Sequence, residues 1–327
     1  MAFAEESPAG LASVDTVTWQ RRLGEQSAEL ANAFDWFLTH QRPTDALRLA
    51  VSLADHWMHS GDLADGTRRL ERGLAVVGVE PRIRGRAHCQ AGMLAFWEGR
   101  DEQARAAFQA AREVARECED GTTEALALAG LARIALRAKQ TESARSLCEE
   151  ALHVDAGSDD DAGRSSAIHV LSVTAQMSGD LNTARDLMLQ RMEMARKRGN
   201  LSVVSYEASN LSAVERQLGH ARRANELALE ALDIEVRRSD KWAIPYTVNQ
   251  LAALAVDSSD FARAATLLGA AERMVEDQGA EWPPDELPVF QASRDAAAAA
   301  LAAADVERAW SRGAAMSVDE LIRLASD

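Results

Sequence analysis

The sequence predicts an all-α protein built from paired helices, and three observations carry that expectation. The composition favours helix: alanine and leucine dominate, arginine and glutamate are frequent, and the 327 residues include 7 prolines and 2 tyrosines. These abundant types lose little freedom on entering a helix. Small residues recur with a fixed period of forty. Between the small-residue clusters lie short turn signals, as in SGDLNTARDL at Ser178–Leu187.

The period is read from Ala104, Ala144, Ala184, Ala224 and Ala264, with Gly66 thirty-eight residues before the first. Twelve residues before each anchor lies another small residue: Ala54, Gly92, Ala132, Ser172, Ser212 and Ala252. A repeat of this length signals stacked supersecondary units. Two antiparallel helices per unit would approach closely at the paired small residues, and the neighbouring leucines would fill the gap. The turns are His59–Asp62, Glu98–Asp101, Ala138–Thr141, Ser178–Asp180, Leu218–His220 and Ser258–Asp260. Glycine suits the left-handed end of one helix, and Asp or Thr suits the cap of the next. Helices are therefore expected near 43–60, 62–77, 82–98, 101–117, 122–138, 141–154, 162–178, 181–198, 200–218, 221–238, 240–257 and 260–277.

Both ends read as helical caps on this array. Trp19, Leu23, Leu30, Phe34 and Phe37 have helical spacing, so one or two helices are expected ahead of the repeats. Pro283 and Pro284 stop a helix, and Ser317 with Glu320 has capping-box spacing before Leu321, Ile322 and Leu324. The expected division is 1–42 for N-terminal capping helices, 43–277 for six helix pairs and 278–327 for C-terminal capping helices.

Composition also narrows the function classes. The formal net charge is −15 and the pI about 5.0, which opposes nucleic acid and anionic membranes on average. Cys89, Cys118 and Cys148 are odd in number and form no C-x-x-C pair, as expected of thiols in a reducing cytosol. With no leader and no long apolar run, the expected location is cytoplasmic. His56 and His59 lie three apart without a third ligand nearby, and the acidic Gly157–Gly163 stretch lacks calcium-loop spacing. His88 and Cys89 point different ways on a helix. No paired carboxylates, phosphate loop or nucleophile constellation is visible, so neither an enzyme nor a cofactor is expected. Trp19, Trp36 and Trp310 are assigned to packing.

The spacing of small residues resembles that of tetratricopeptide repeats, in a long-helix variety. The resemblance implies a tetratricopeptide-repeat-like, right-handed superhelical solenoid. The flanks are more specific. The segment from Trp19 to Leu74 and the tail from Ala262 to Ala325 resemble the repeat region of actinobacterial LuxR-type and antibiotic-regulatory-type signal-transduction ATPase transcriptional regulators. No G-x-x-x-x-G-K-[ST] loop and no basic helix-turn-helix occurs in these residues, so the resemblance covers only the repeat region. It implies a non-catalytic interaction or sensing module in transcriptional regulation. The alternative is an adaptor or scaffold subunit of an enzyme complex with no transcription role.

By the same resemblance, the first helix of each pair lines a concave face. The lining positions supply candidate binding residues Arg86 and Trp97 in one repeat and Arg133 and Arg137 in the next. His169 follows, then Tyr206, Asn210 and Arg216, then Tyr246 and Asn249. The set inverts the charge of the chain. A locally positive groove is expected, with an acidic protein segment or small anionic ligand as partner and no direct nucleic-acid or membrane contact. One further expectation is internal: Arg191 and Glu215 break the small-residue rule on successive helices and should pair, since a lone buried charge is costly.

Overall fold

A computed structural model describes residues 1–155, 160–278, 282 and 286–326, apart from the side chains of His59 and Ser326. Pro283, Pro284, residues 157–159 of the acidic stretch and the His59 side chain thus lie outside the described residues. Eighteen helices and no strand occur among those described. They begin with α1 (Ala2–Ala12), α2 (Thr16–Glu25) and α3 (Ser27–Thr39). Helix pairs follow: α4 (Pro43–Ser60) with α5 (Leu63–Leu74), α6 (Pro81–Trp97) with α7 (Asp101–Glu117), and α8 (Gly121–Arg137) with α9 (Thr141–Val154). Next come α10 (Ala162–Met177) and α11 (Leu181–Lys197), then α12 (Leu201–Gln217) with α13 (Ala221–Arg237), and α14 (Ile244–Asp257) with α15 (Phe261–Asp277). The chain closes with α16 (Leu287–Ala300), α17 (Ala303–Ala314) and α18 (Val318–Ser326). All twelve helices expected of the repeats are present. The largest departure is α14, which starts at Ile244 because Asp240–Ala243 forms a turn and Pro245 sits in the first helical turn.

The chain divides into two compact units, Met1–Leu187 and Met188–Asp327. In both, the period-forty residues mark where helices meet. Ala104, Ala144, Ala184, Ala224 and Ala264 are completely buried, and so are Ala54, Ala132, Ser172 and Ala252. In the first unit Phe108 shows why these sites must be small. A Cβ on Gly92 or on Gly130 would meet the Phe108 ring at 2.8 Å or 2.3 Å. The ring therefore lies between α6, α7 and α8, and two glycines make its space.

Helix ends repeat at half the period. The left-handed residue falls at Gly99, Glu119 and Lys139 in the first unit, and again at Gly179. In the second unit it falls at Gly199, Gly219, Ser239 and Ser259. The following residue then donates back to a carbonyl five residues earlier, as Arg100 N–H does to Ala95 O at 2.8 Å and Asp260 N–H to Ala255 O at 2.8 Å. This is the helix-terminating motif that satisfies the last carbonyls. Capping is more varied than expected. Asp120, Asn200 and Asp260 accept the N–H of the third residue onward. Asp101 and Thr141 are instead the first residues of α7 and α9, and Asp62, the residue before α5, makes no side-chain cap bond.

The first unit opens with three helices rather than one or two. Pro8 and Gly10 disguise α1, but Ala4, Ser7, Gly10 and Leu11 are buried, and the Ser7 hydroxyl donates to Ser52 O on α4 at 2.9 Å. Tertiary burial overrides local propensity here. Trp19 packs as expected, stacked on Phe3 at 5.3 Å. Trp36 does not: it is 46% exposed and stacks on His40 at 4.2 Å.

In the second unit the expected partner of Arg191 is replaced. Arg191 bonds to Glu207 on α12, while the Glu215 carboxylate meets His220 Nδ1 at 2.6 Å. Register explains the choice. The position seven residues past an anchor faces the position seventeen before the next anchor, as Ala111 and Ala127 do in one buried cluster. Glu207 holds that facing position; Glu215 lies two turns further along. Later in this unit the capping box forms, with Glu320 accepting from Ser317 N–H at 2.8 Å and Ser317 Oγ from Glu320 N–H at 3.3 Å. Trp310 packs as expected and donates to Glu272 at 2.9 Å.

Candidate interaction surface

The informative surface of the first unit lies at the C-terminal ends of α6, α8 and α10, which are successive neighbours. Their last residues are Trp97, Arg137 and Met177. Neighbouring helices lie about 8–10 Å apart, so these three helix ends follow one another at about that step. Trp97 is 52% exposed and Met177 54%. Arg137 ends the middle helix of the three, with its guanidinium over the Phe96 ring at 3.5 Å, donating to Phe96 O at 3.1 Å and to Asp101 Oδ1 at 2.6 Å. The row is thus apolar, cationic, apolar, with the cation held in place by an aromatic ring and a carboxylate.

The other candidates of this unit are dispersed. Arg86 is near the opposite end of α6 and pairs with Asp160 at 3.5 Å. Arg133 is partly buried in the middle of α8, and His169 is buried. In the second unit Tyr206 is 47% exposed on α12, Asn210 is half-buried, and Arg216 pairs with Asp257 at 3.2 Å. On α14, Tyr246 lies edge-on to Trp282 at 6.0 Å. Asn249 is completely buried and donates to Glu286 Oε2 at 3.0 Å. Arg86, Arg137 and Arg216 therefore each have an acidic neighbour, which offsets the local positive charge expected from the sequence. The acids come from the start of α7, a loop and the end of α14, 36 to 74 residues away in sequence, and their approach has no local signal.

Two features escaped sequence reasoning. One is the contact of Asn249 with Glu286. The other is a cleft of about 370 Å³ in the first unit, with Phe34, Leu53 and Trp57 as apolar lining and Asp62, Asp65 and Arg69 as polar lining. Arg69 is held by Asp65 at 2.8 Å.

The two buried thiols are poor nucleophiles. Burial pushes the Cys89 and Cys148 thiols up to about 12, so both are protonated at neutral pH. Burial lowers the His88 pKa, with Arg84 adding to the effect. Burial raises Glu235 to about 8, against the opposing hydrogen bond from Thr247. Among the described residues no three His, Cys, Asp or Glu side chains are grouped as a metal site, and no helix is long and apolar enough to cross a membrane.

No protein-family model matches the sequence, and no curated protein matches it. Solved structures do share the fold. A subunit structure from the APC/C hetero-tetramer Cut9–Hcn1 is 13% identical, with a TM-score of 0.61, covering 81% of this chain and 46% of that one. A Rap protein complexed with competence and sporulation factor is 14% identical, with a TM-score of 0.58, covering 94% of this chain and 98% of that one. A signal-transduction ATPase with a tetratricopeptide repeat sensor, PH0952 from Pyrococcus horikoshii, is 12% identical, with a TM-score of 0.57, covering 91% of this chain and 42% of that one. The chain thus spans less than half the length of the first and third. At these identities the likeness concerns the fold, which is that of a tetratricopeptide-like array of helix pairs.

Proposed function

We propose that this protein is a non-catalytic interaction module whose first helices dock an extended protein segment. One observation carries the reading. On the helices of the repeat pairs, the exposed large apolar residues are Trp97, Met177, Tyr206 and Leu189, and the first three lie on first helices. Exposed aromatic and methionine side chains on such a face suit partner binding. In the first unit the row of Trp97, Arg137 and Met177 matches an extended chain, which advances about 3.3 Å per residue and so meets a new helix about every third residue. The preferred segment has apolar residues flanking a polar or acidic one at three-residue steps. Because Arg137 already has Asp101, apolar contact contributes more than net charge. A sensing role in transcriptional regulation draws support from the fold shared with the sensor of PH0952; an adaptor role draws support from the fold shared with Cut9–Hcn1.

The test is selection of a displayed random peptide library on the purified protein. Recovered peptides are then measured against Trp97→Glu with Met177→Glu, whose folding is checked by circular dichroism. Peptides from this face should lose at least tenfold in affinity. A library whose binders all retain full affinity for the double variant would contradict the reading.

A further inference from the structure

The last repeat pair makes an unusual polar contact with the residues that follow it. On α14, Asn249 Nδ2 and Gln250 Nε2 both donate to one oxygen of Glu286, at 3.0 and 3.2 Å. Glu286 is the residue before α16, and Trp282 precedes it by four positions. The Trp282 ring stacks on Phe290 at 4.5 Å and meets Tyr246 edge-on at 6.0 Å. A carboxylate and an aromatic ring of the chain therefore cover Tyr246 and Asn249, which the resemblance makes candidate binding residues, together with Gln250.

The fit is incomplete. Asn249 Oδ1 and Gln250 Oε1 are buried with no hydrogen-bond partner among the described residues, and so is Trp282 Nε1. Asn249 is completely buried and Gln250 4% exposed, so solvent does not substitute freely. Buried groups of this kind normally find partners. Simple closure of an array needs an apolar contact, not two primary amides aimed at one carboxylate. At the register of Asn249 the other pairs carry Val51, Cys89, Ala129, His169 and Ser209. The two orphan carbonyls call for donors that Glu286 does not bring. An acidic residue of a free peptide, not tied to α16 as Glu286 is, can seat its carboxylate on the amide N–H groups and bring a backbone N–H to the carbonyls.

We propose that Tyr246, Asn249 and Gln250 form a recognition site for a segment carrying an aromatic residue followed by an acidic one, and that Trp282 and Glu286 occupy it as a built-in competitor. The site stands whether or not the face of the first unit binds a partner. A segment of matching chemistry in trans displaces the internal one. The sequence WPPDEL suits a probe, since its prolines reduce the freedom a peptide loses on binding.

The experiment uses the full chain and a fluorescent peptide of residues 280–287, AEWPPDEL, followed by anisotropy. The peptide should bind Trp282→Ala with Glu286→Ala at least tenfold tighter than it binds the wild-type protein. A peptide with glutamine at the Glu286 position should bind that variant at least tenfold more weakly, and so should the original peptide when Asn249→Ala is added. Glu286→Gln alone, which keeps the shape, serves as the second variant and should show the same order with a smaller gain. Variants that lose thermal stability yet bind the peptide no better than wild type would overturn the proposal and leave a purely structural contact. Binding indifferent to Asn249→Ala would overturn it equally.

Discussion

At the residue scale, buried charge decides most of what is specific to this chain. Arg191 and Glu207 occupy the register where Ala111 meets Ala127 and Ala151 meets Ala167. Removing one member of a buried pair costs about 3–5 kcal/mol, whereas removing both can be nearly neutral. Arg191→Ala or Glu207→Ala should therefore destabilise strongly, and the double variant less than either single one. A denaturant double-mutant cycle checks this; additive losses would contradict it. Glu235 is completely buried, accepts from Thr247 at 2.9 Å, and is near Arg238 and Asp240. Its folded pKa of about 8 exceeds the unfolded value of 4.5. The folded state then holds a proton that the unfolded state has released, so stability falls as pH rises from 4.5 to 8. Glu235→Gln should remove roughly 1–3 kcal/mol of that decline. Melts at pH 5 and pH 8 test it, and an unchanged slope would contradict the burial argument. The arginine's partner was legible in principle. Reading the column Ala87, Ala127, Ala167, Glu207 and Thr247 shows the acid that answers Arg191. Glu286 was not legible, because contact with Asn249 across 37 residues leaves no periodic trace.

At the element scale, the helices were legible where small residues and turn signals coincide. They were obscured where tertiary packing outweighs propensity, as in α1. The helix ends give a clean test of backbone strain. Lys139 has φ of 60°, and an L-residue there costs about 1–2 kcal/mol, partly offset by the extra chain entropy of glycine. Lys139→Gly should stabilise by about 0.5–1 kcal/mol. Gly219→Ala should destabilise, since φ is 82° and no atom lies within 4 Å of the added Cβ, which isolates the conformational effect. Equal thermal midpoints for all three proteins would contradict this account of the turns. The close approach of α17 to α15 was not legible. A Cβ on Gly313 would meet Thr266 O at 1.9 Å, and one on Gly269 would meet Trp310 O at 2.3 Å. Gly313→Val should cost about 1–3 kcal/mol and expose α17 to hydrogen exchange. Unchanged protection there would mean that the helices separate at no cost.

At the scale of the whole molecule, the forty-residue period organises both compact units. It places small residues where helices meet, and of the large apolar side chains exposed on the repeat helices Trp97, Met177 and Tyr206 lie on first helices and Leu189 on a second. The period numbers the candidate lining positions that the resemblance implies, but it does not place their charge partners. The balance of charge was not legible, because Asp101, Asp160 and Asp257 reach the arginines from the start of α7, a loop and the end of α14, across 36 to 74 residues of sequence. What the protein binds should therefore follow shape and apolar contact on the first helices, with second helices presenting a solvated outer face. Site-specific photocrosslinking in cells tests that claim most directly, with a photoreactive phenylalanine derivative at Trp97 on α6 or at exposed Glu113 on α7. The account expects a discrete protein adduct from position 97 and none from position 113; adducts from position 113 alone, or from neither, would contradict it.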